Sequence, residues 1–363
     1  MRGTPLNVCF ALILGIGLPP GMAGQAALQL PPKQAAFPPA LPALLHPTLD
    51  RIASNQGVNC GVVKEEEDYS RSTDHGNRAA FDIDLCKAVA VAVLGPGARL
   101  VVRSFPDEPF ALRALKSGTV DLVATASLSV SNMAQDIGFS APVLLDGQGM
   151  LVAKASTAKT PEDLAGKRVC FLTGSAAEEG LHSFAELHGI SYVWYPFSEA
   201  GEMEAAFFTG NCDAVTGDLT QLANIRSIDV RRAGELELLP QTLREDPLGI
   251  ATWAGDRTMQ RLVYWTVALL LQAEELGVTQ ANAHAMTASQ QPAVRELLGQ
   301  GPGVATALRA RPHWGAEVIE AVGNYGEVFE RDLGSQSKLQ LPRGKNRPGS
   351  QGGWLYAVPV RDR

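Results

Sequence analysis

Residues 82–126 read "DIDLCKAVAVAVLGPGARLVVRSFPDEPFALRALKSGTVDLVATA". Over 82–94 the apolar residues recur with helical spacing, and Asp82 and Asp84 sit where acids favour a helix N-terminus. Gly95-Pro96-Gly97 stops that helix. "RLVVRSF" reads as a strand, "PFALRALKSG" as a helix closed by Gly118, and "VDLVATA" as a second strand. With the apolar strand "VNCGVV" at 58–63 ahead of it, the order is strand–helix–strand–helix–strand. That order builds an α/β sheet with helices on its faces.

The same order restarts after "DGQGMLVAK" (146–154). Thr160-Pro161-Glu162-Asp163 carries helix-start chemistry: a hydroxyl cap, a proline at the first helical position and an acid three residues after the cap. "KRVCFLTG" then reads as a strand, 175–188 as a helix, "SYVWYPF" as a strand, 199–209 as a helix, "CDAVTGD" as a strand end and 219–227 as a helix. A second α/β unit of similar size therefore follows the first. Residues 256–277, "DRTMQRLVYWTVALLLQAEELG", form a helix with Asp before it, Gly at its end and a wide apolar face. Its apolar core is too short to span a membrane. The Gly/Pro-rich tail "PRGKNRPGSQGGWLYAVP" has no period that places it.

The chain has 363 residues, 45% of them apolar, which is enough for two lobes with real cores. Its net charge is −7 with both signs mixed along the chain, and no basic stripe suits it to nucleic acid. The acidic run 64–68 reads as a solvated loop. Arg2, the apolar run Val8–Leu18 and the small residues that follow have the layout of a secretory signal peptide, taken as residues 1–26. Pro19 and Pro20 cut the run short of a membrane span. Residues 27–47 are Pro/Ala-rich and read as a tether. Cys60, Cys86, Cys170 and Cys212 remain beyond the leader. An even count in an oxidising compartment predicts two disulfides. Three pairings are open, and pairing within each half, Cys60–Cys86 and Cys170–Cys212, is the expectation. No Cys/His spacing suits zinc, and no cofactor or metal is expected.

The segments "FDIDLCKAVAVAV", "ALKSGTVDLV", "GFSAPVLLDGQGMLV", "DLAGKRVCFLTGS", "GNCDAVTGD" and "WTVALLLQAEELGVTQAN" follow, in order, the pattern of extracytoplasmic solute-binding proteins of polar amino acid ABC transporters (bacterial family 3). "VGNYGEVFERDLG" and "GGWLYAVP" look like the general L-amino-acid-binding branch. The resemblance spans 48–360. It implies a two-lobed type II periplasmic binding protein, monomeric, that closes by a hinge on a small solute in the interlobe cleft and delivers it to an inner-membrane ABC permease. It implies first-lobe residues 48–148, second-lobe residues 149–248, and a return to the first lobe plus a C-terminal extension over 249–363, with chain crossings near 145–152 and 246–252.

The resemblance also places a site. Asp218, at the strand end "AVTGD", would hold the ligand's α-amino group, a charge-assisted contact. It also stands where Asp218–Gln221 could cap the next helix. Ser175, in Thr173-Gly174-Ser175, would open the helix whose N–H groups meet the ligand carboxylate, though Ala176 and Ala177 follow where the family supplies another hydroxyl. Tyr69 would roof the ligand, in a loop that departs from the family's. Ser127 and Ser129 offer hydroxyls at the rim. The family's carboxylate-clamping Arg falls on Met133, and no Lys or Arg occurs from Ser117 to Ala153. Met133 offers a soft apolar wall instead. Three readings stand open: a ligand without an α-carboxylate, such as an amine; a substitute among Arg71, Arg78 and Arg103; or lost binding.

Two other functions compete with transport. One is a solute sensor or accessory domain, for which the chain shows no spanning helix or output domain. The other is an enzyme like the cyclohexadienyl dehydratases. Its acid substrate would also want the missing Arg, and the chain has no H-E-x-x-H or Ser-His-Asp order and only 6 histidines.

Overall fold

The structure, a computed structural model, describes residues 48–63, 78–228, 234–299 and 302–361. The leader 1–26, the tether 27–47, Tyr69 and Arg71 lie outside the described residues. Helix α1 (Thr48–Asn55) leads into β1 (Gly57–Val63), α2 (Arg78–Leu94), β2 (Arg99–Phe105), α3 (Glu108–Lys116), β3 (Leu122–Ser127), the single turn α4 (Val130–Met133) and β4 (Ile137–Leu145). Helix α2 starts four residues before Asp82, because Arg78-Ala-Ala-Phe contains no breaker and buries Ala79 and Phe81. Asp107 caps α3 by accepting the Phe110 N–H at 2.8 Å.

The chain then crosses to β5 (Gln148–Ala153), β6 (Arg168–Leu172), α5 (Ala176–His188), β7 (Val193–Phe197), α6 (Ala200–Phe208), β8 (Ala214–Asp218), α7 (Leu219–Ile228) and β9 (Leu236–Leu238). The start at Thr160 yields only the 3₁₀ turn Pro161–Leu164. Asp163 does accept the Thr160 N–H at 3.0 Å, but Gly166 at φ +71° turns the chain into β6. After β10 (Pro247–Trp253) come α8 (Arg257–Glu275), the short α9 (Ala283–Met286), α10 (Pro292–Leu297) and α11 (Pro302–Leu308), then α12 (Trp314–Val322) and α13 (Tyr325–Asp332).

These strands make two five-stranded sheets, in the orders β2-β1-β3-β10-β4 and β7-β6-β8-β5-β9. In the first, β1 runs parallel to β2 and β3, while β10 slots antiparallel between β3 and β4. The second sheet repeats the plan, with β6 parallel to β7 and β8 and β5 antiparallel to β8 and β9. The chain passes between the sheets twice, at 146–147 and ahead of Pro247. Each lobe buries both faces of its sheet. In β5, Met150 and Val152 face a core with Val169 and Leu181, while Leu151 faces one with Val215 and Leu222, the alternation of a strand. The first lobe's core gathers Phe81, Leu122, Leu269, Trp314, Tyr325 and Phe329.

Cysteine pairing follows the halves. Cys60 on β1 joins Cys86 on α2 with Cα atoms 6.2 Å apart, and Cys170 on β6 joins Cys212 ahead of β8 at 5.8 Å. Each bond pins a helix or loop to the parallel strand beside it.

The C-terminal tail has a definite place. Arg343, buried against Tyr325 and Phe329, pairs in bidentate fashion with Glu274 at 3.1 and 3.0 Å. Three residues on, Asn346 bonds to Leu145 at the first crossing. Lys345 contacts Glu245 and Thr242 beside the second. Arg226 on α7 donates to the carbonyls of Leu339 and Gln340. The tail thus fastens the first lobe, both crossings and α7 of the second lobe to one another.

Candidate ligand-binding site at the crossings

In both sheets the parallel strands point their C-terminal ends toward the two crossings. Parallel strand ends are where α/β folds gather ligand groups, because helix starts and short loops leave polar groups there. On the first lobe, the Thr125 hydroxyl near the end of β3 donates to Asp82 Oδ1 at 2.9 Å and accepts from Arg78 Nη2 at 3.2 Å. Arg78 Nη1 lies 3.8 Å from Asp146 Oδ2, at the first crossing. Asp146 in turn caps α7 of the second lobe. Its Oδ1 accepts the Thr220 N–H at 3.0 Å and its Oδ2 accepts the Thr220 hydroxyl. One chain of contacts, Asp82–Thr125–Arg78–Asp146–Thr220, therefore runs from lobe to lobe.

Burial dominates the titration of its two acids. It pushes the Asp82 carboxyl up to about 7, against the opposing charge of Arg78 and the Thr125 hydrogen bond, with Asp146 adding a like charge. Asp82 Oδ2 has no hydrogen-bond partner among the described residues. Asp146 is also raised by burial, opposed by Arg78 and by the two bonds from Thr220, with Asp246 pushing the same way as burial.

The rim "SLSVSNM" is held by acids of the chain itself. The Ser127 N–H donates to Glu108 Oε2 at 2.7 Å, and its hydroxyl donates to Asp246 Oδ1 at 2.8 Å. Asn132 turns inward, donating to Glu108 Oε1 at 2.8 Å and to the Ser127 carbonyl at 2.9 Å. Ser129 caps α4 by accepting the Asn132 N–H at 3.1 Å. Met133, next on this turn, is 53% exposed.

On the second lobe, Gly174 takes φ +70° so that the chain can turn from β6 into α5. Its N–H donates to Glu178 Oε2 at 2.6 Å. Ser175 is the α5 N-cap: its hydroxyl accepts the Glu178 N–H at 3.2 Å and donates to the Leu172 carbonyl at 2.6 Å. Asp218 ends β8, half-buried, opposite Gln148 in the β5–β8 register. Of the possible substitutes for an arginine at 133, Arg103 stands exposed on edge strand β2, separated from β3 by β1. Arg78 faces β3 and the crossing.

Asp218 and Ser175 thus sit at strand and helix ends of the second lobe, and Ser127 and Ser129 at the end of β3 in the first. At the second position of α7 the Thr220 N–H goes to Asp146 across the crossing. The sequence gives no signal for Thr125 or Asp246 at this place, and it marks Asp82 only as an acid at a helix start, which α2, beginning at Arg78, does not make it. The signal for Asp146 was its place in "LLDGQG", an acid between two apolar strands. A cavity of about 720 Å³, lined by Asp163, Lys167, Phe207 and Glu235, opens at the opposite end of the second-lobe strands. It is remote from these groups.

Two α/β lobes, two crossings and polar side chains gathered at the facing strand ends define a two-lobed solute-binding protein. The chain is 35% identical over 319 residues to the general L-amino acid-binding periplasmic protein AapJ of Rhizobium johnstonii, covering 86% of this chain and 93% of that one. It is 32% identical over 317 residues to the glutamate/glutamine/aspartate/asparagine-binding protein BztA of Rhodobacter capsulatus, covering 86% and 93%. A solved ABC transporter periplasmic binding protein from Brucella ovis with glutathione bound superposes with a TM-score of 0.73 at 30% identity, covering 87% of this chain and 100% of that one. A family profile described as NMT1/THI5 like matches residues 111–238. This chain belongs to the family of periplasmic amino-acid-binding proteins of ABC transporters. Its relatives are named as binding proteins rather than enzymes.

Proposed function

We propose that this protein is a periplasmic receptor that closes by a hinge on a small polar amino acid, or a related amine or peptide, and passes it to an ABC permease in the inner membrane. Residues 1–26 direct its export, and it works as a monomer. Asp218 takes the ammonium group from the second lobe. Ser175 at the start of α5, and Ser127 and Ser129 on the rim, line the site with hydroxyls. Tyr69 covers the solute, and Met133 forms part of the wall. The similarity to AapJ over 86% of the chain carries this reading. The glutathione in the Brucella ovis relative widens the candidates to γ-glutamyl peptides.

Purified protein is to be scanned by thermal shift against the common L-amino acids, small amines and glutathione. Solute that binds only the folded state raises stability by mass action, by about 2.7 kcal/mol at a hundredfold excess over Kd. A melting temperature unmoved by every member of that panel would count against the receptor.

A further inference from the structure

The rim where a guanidinium would clamp a solute carboxylate carries the exposed Met133 instead, and from Ser117 to Ala153 there is no Lys or Arg. A buried carboxylate needs a counter-charge, since desolvating an anion without one is costly. Arg78 is a described arginine placed to meet that need. Its guanidinium reaches across from the start of α2 to the Thr125 hydroxyl on β3 at 3.2 Å. Asp146 at the crossing lies 3.8 Å from it.

We propose that Arg78 supplies the fixed cation of the binding site and receives the carboxylate of the solute, in place of an arginine at position 133. The proposal rests on the receptor reading above and names the class of solute: one that keeps a free carboxylate beside its ammonium group.

Three observations carry it. The Arg78 side chain is 25% exposed, sheltered enough for its charge to count and open enough to be reached. Its aim is set by Thr125, itself fixed by Asp82, so little ordering is left for the moment of binding. Finally, Asp146 does not hold it by a hydrogen bond. At 3.8 Å Asp146 is an ion pair beyond hydrogen-bond reach, and both Asp146 oxygens are already bonded by Thr220. A solute carboxylate that draws the guanidinium toward itself leaves those bonds in place. The raised titration of Asp82 points the same way, because that acid is only partly ionised near neutral pH. Geometry adds a consequence for closure. Arg78 belongs to the first lobe and Asp218 to the second, so an amino acid held by both ends bridges the hinge.

The test is titration calorimetry with the full-length exported protein and the common L-amino acids, each beside its α-carboxamide, plus glutathione. Wild type is expected to prefer the acid over the amide at least about a hundredfold, the loss seen when one partner of a sheltered ion pair is removed. Arg78→Gln should lose that preference, and Met133→Arg in the Arg78→Gln background should restore it, because position 133 is exposed and accepts the longer side chain without repacking. Equal binding of acid and amide by wild type, or undiminished acid binding by a folded Arg78→Gln, overturns the assignment and leaves the receptor standing. If Arg78→Gln does not fold, Arg78→Met is read in its place, and undiminished acid preference in that folded variant overturns the assignment equally. Wild type silent toward every amino acid and glutathione overturns the receptor reading and this assignment together.

Discussion

Asn346 satisfies both backbone polar groups of Leu145: its Oδ1 accepts the Leu145 N–H at 2.7 Å and its Nδ2 donates to the Leu145 carbonyl at 3.1 Å. The side-chain amide thus plays the part of a neighbouring strand at the point where the chain leaves the first sheet. Each buried backbone group left without a partner costs ~1–3 kcal/mol. Asn346→Ala is therefore expected to lower unfolding stability by roughly 2–4 kcal/mol, read from urea melts at unchanged m-value. A loss below about 0.5 kcal/mol, the level of an ordinary surface substitution, would mean that the tail does not brace the crossing.

The tether between α7 and the tail makes a separate claim. Arg226 donates to the carbonyls of Leu339 and Gln340, so the second lobe is bonded to a segment anchored on the first through Arg343 and Glu274. Arg226→Ala should leave both lobe cores intact and raise amide hydrogen exchange in residues 336–342 and in the last turn of α7. Exchange unchanged in the tail would show that Arg226 does not hold it.

Most of the fold was legible in the sequence because its elements carry strong local signals. The unbroken apolar run "GMLV", buried on both faces, and the breaker Gly95-Pro96-Gly97 act within a few residues of themselves. The tail was not legible, since nothing periodic in "PRGKNRPGS" announces that Arg343 will pair with Glu274, 69 residues away. The site was half legible. Asp218, Ser175 and Ser127 stand at element ends, where turn chemistry marks them. Thr125 and Asp146 look like ordinary strand and loop residues until the Thr220 and Arg78 contacts, formed across 74 and 47 residues of chain, bring them together. Met133 showed the missing charge, but which arginine stands nearby is a matter of tertiary structure.

The burial of Asp82 predicts a pH dependence of definite sign. Its folded-state value, about 7, lies above the ordinary 3.8. The folded protein therefore binds more protons than the unfolded chain between those values. The stabilisation is complete below the lower value and is lost as pH rises through the upper one. Each pH unit in that window removes up to about 1.4 kcal/mol per proton taken up. Asp146, raised in the same direction, adds to the slope. Asp82→Asn keeps the size and an acceptor for Thr125 but cannot titrate. Its stability should depend less on pH than wild type over this window and exceed it at pH 8. Parallel curves for the two proteins would place the Asp82 titration elsewhere.

The second disulfide closes the longer loop, 42 residues apart against 26 for the first. On the chain-entropy account each bond restricts the unfolded state by about 3.5–4 kcal/mol, the longer loop slightly more. Replacing Cys170 and Cys212 together by Ala should therefore lower stability by about that amount, while the first lobe keeps its native protease resistance. A loss shared equally by the two lobes would indicate that they unfold as one unit, through the tail and the crossings.

Asp218 gives the most direct test of the ammonium contact. Its place at the end of β8 puts a half-buried carboxylate at the second-lobe side of the crossings. A hydrogen bond to a charged partner is worth ~1.5–3 kcal/mol against about 1 kcal/mol for a neutral one. Asp218→Asn keeps the shape and an acceptor while removing the charge, so binding of an amino acid should weaken by roughly 10-fold or more. Asp218→Ala should abolish the thermal shift. A deaminated analogue, the α-hydroxy acid, should bind wild type weakly and lose little further in Asp218→Asn. If Asp218→Asn bound amino acids as wild type does while still rejecting the hydroxy acid, the ammonium group would have to be read by another acid at the crossings, with Asp246 beside Ser127 the next to replace.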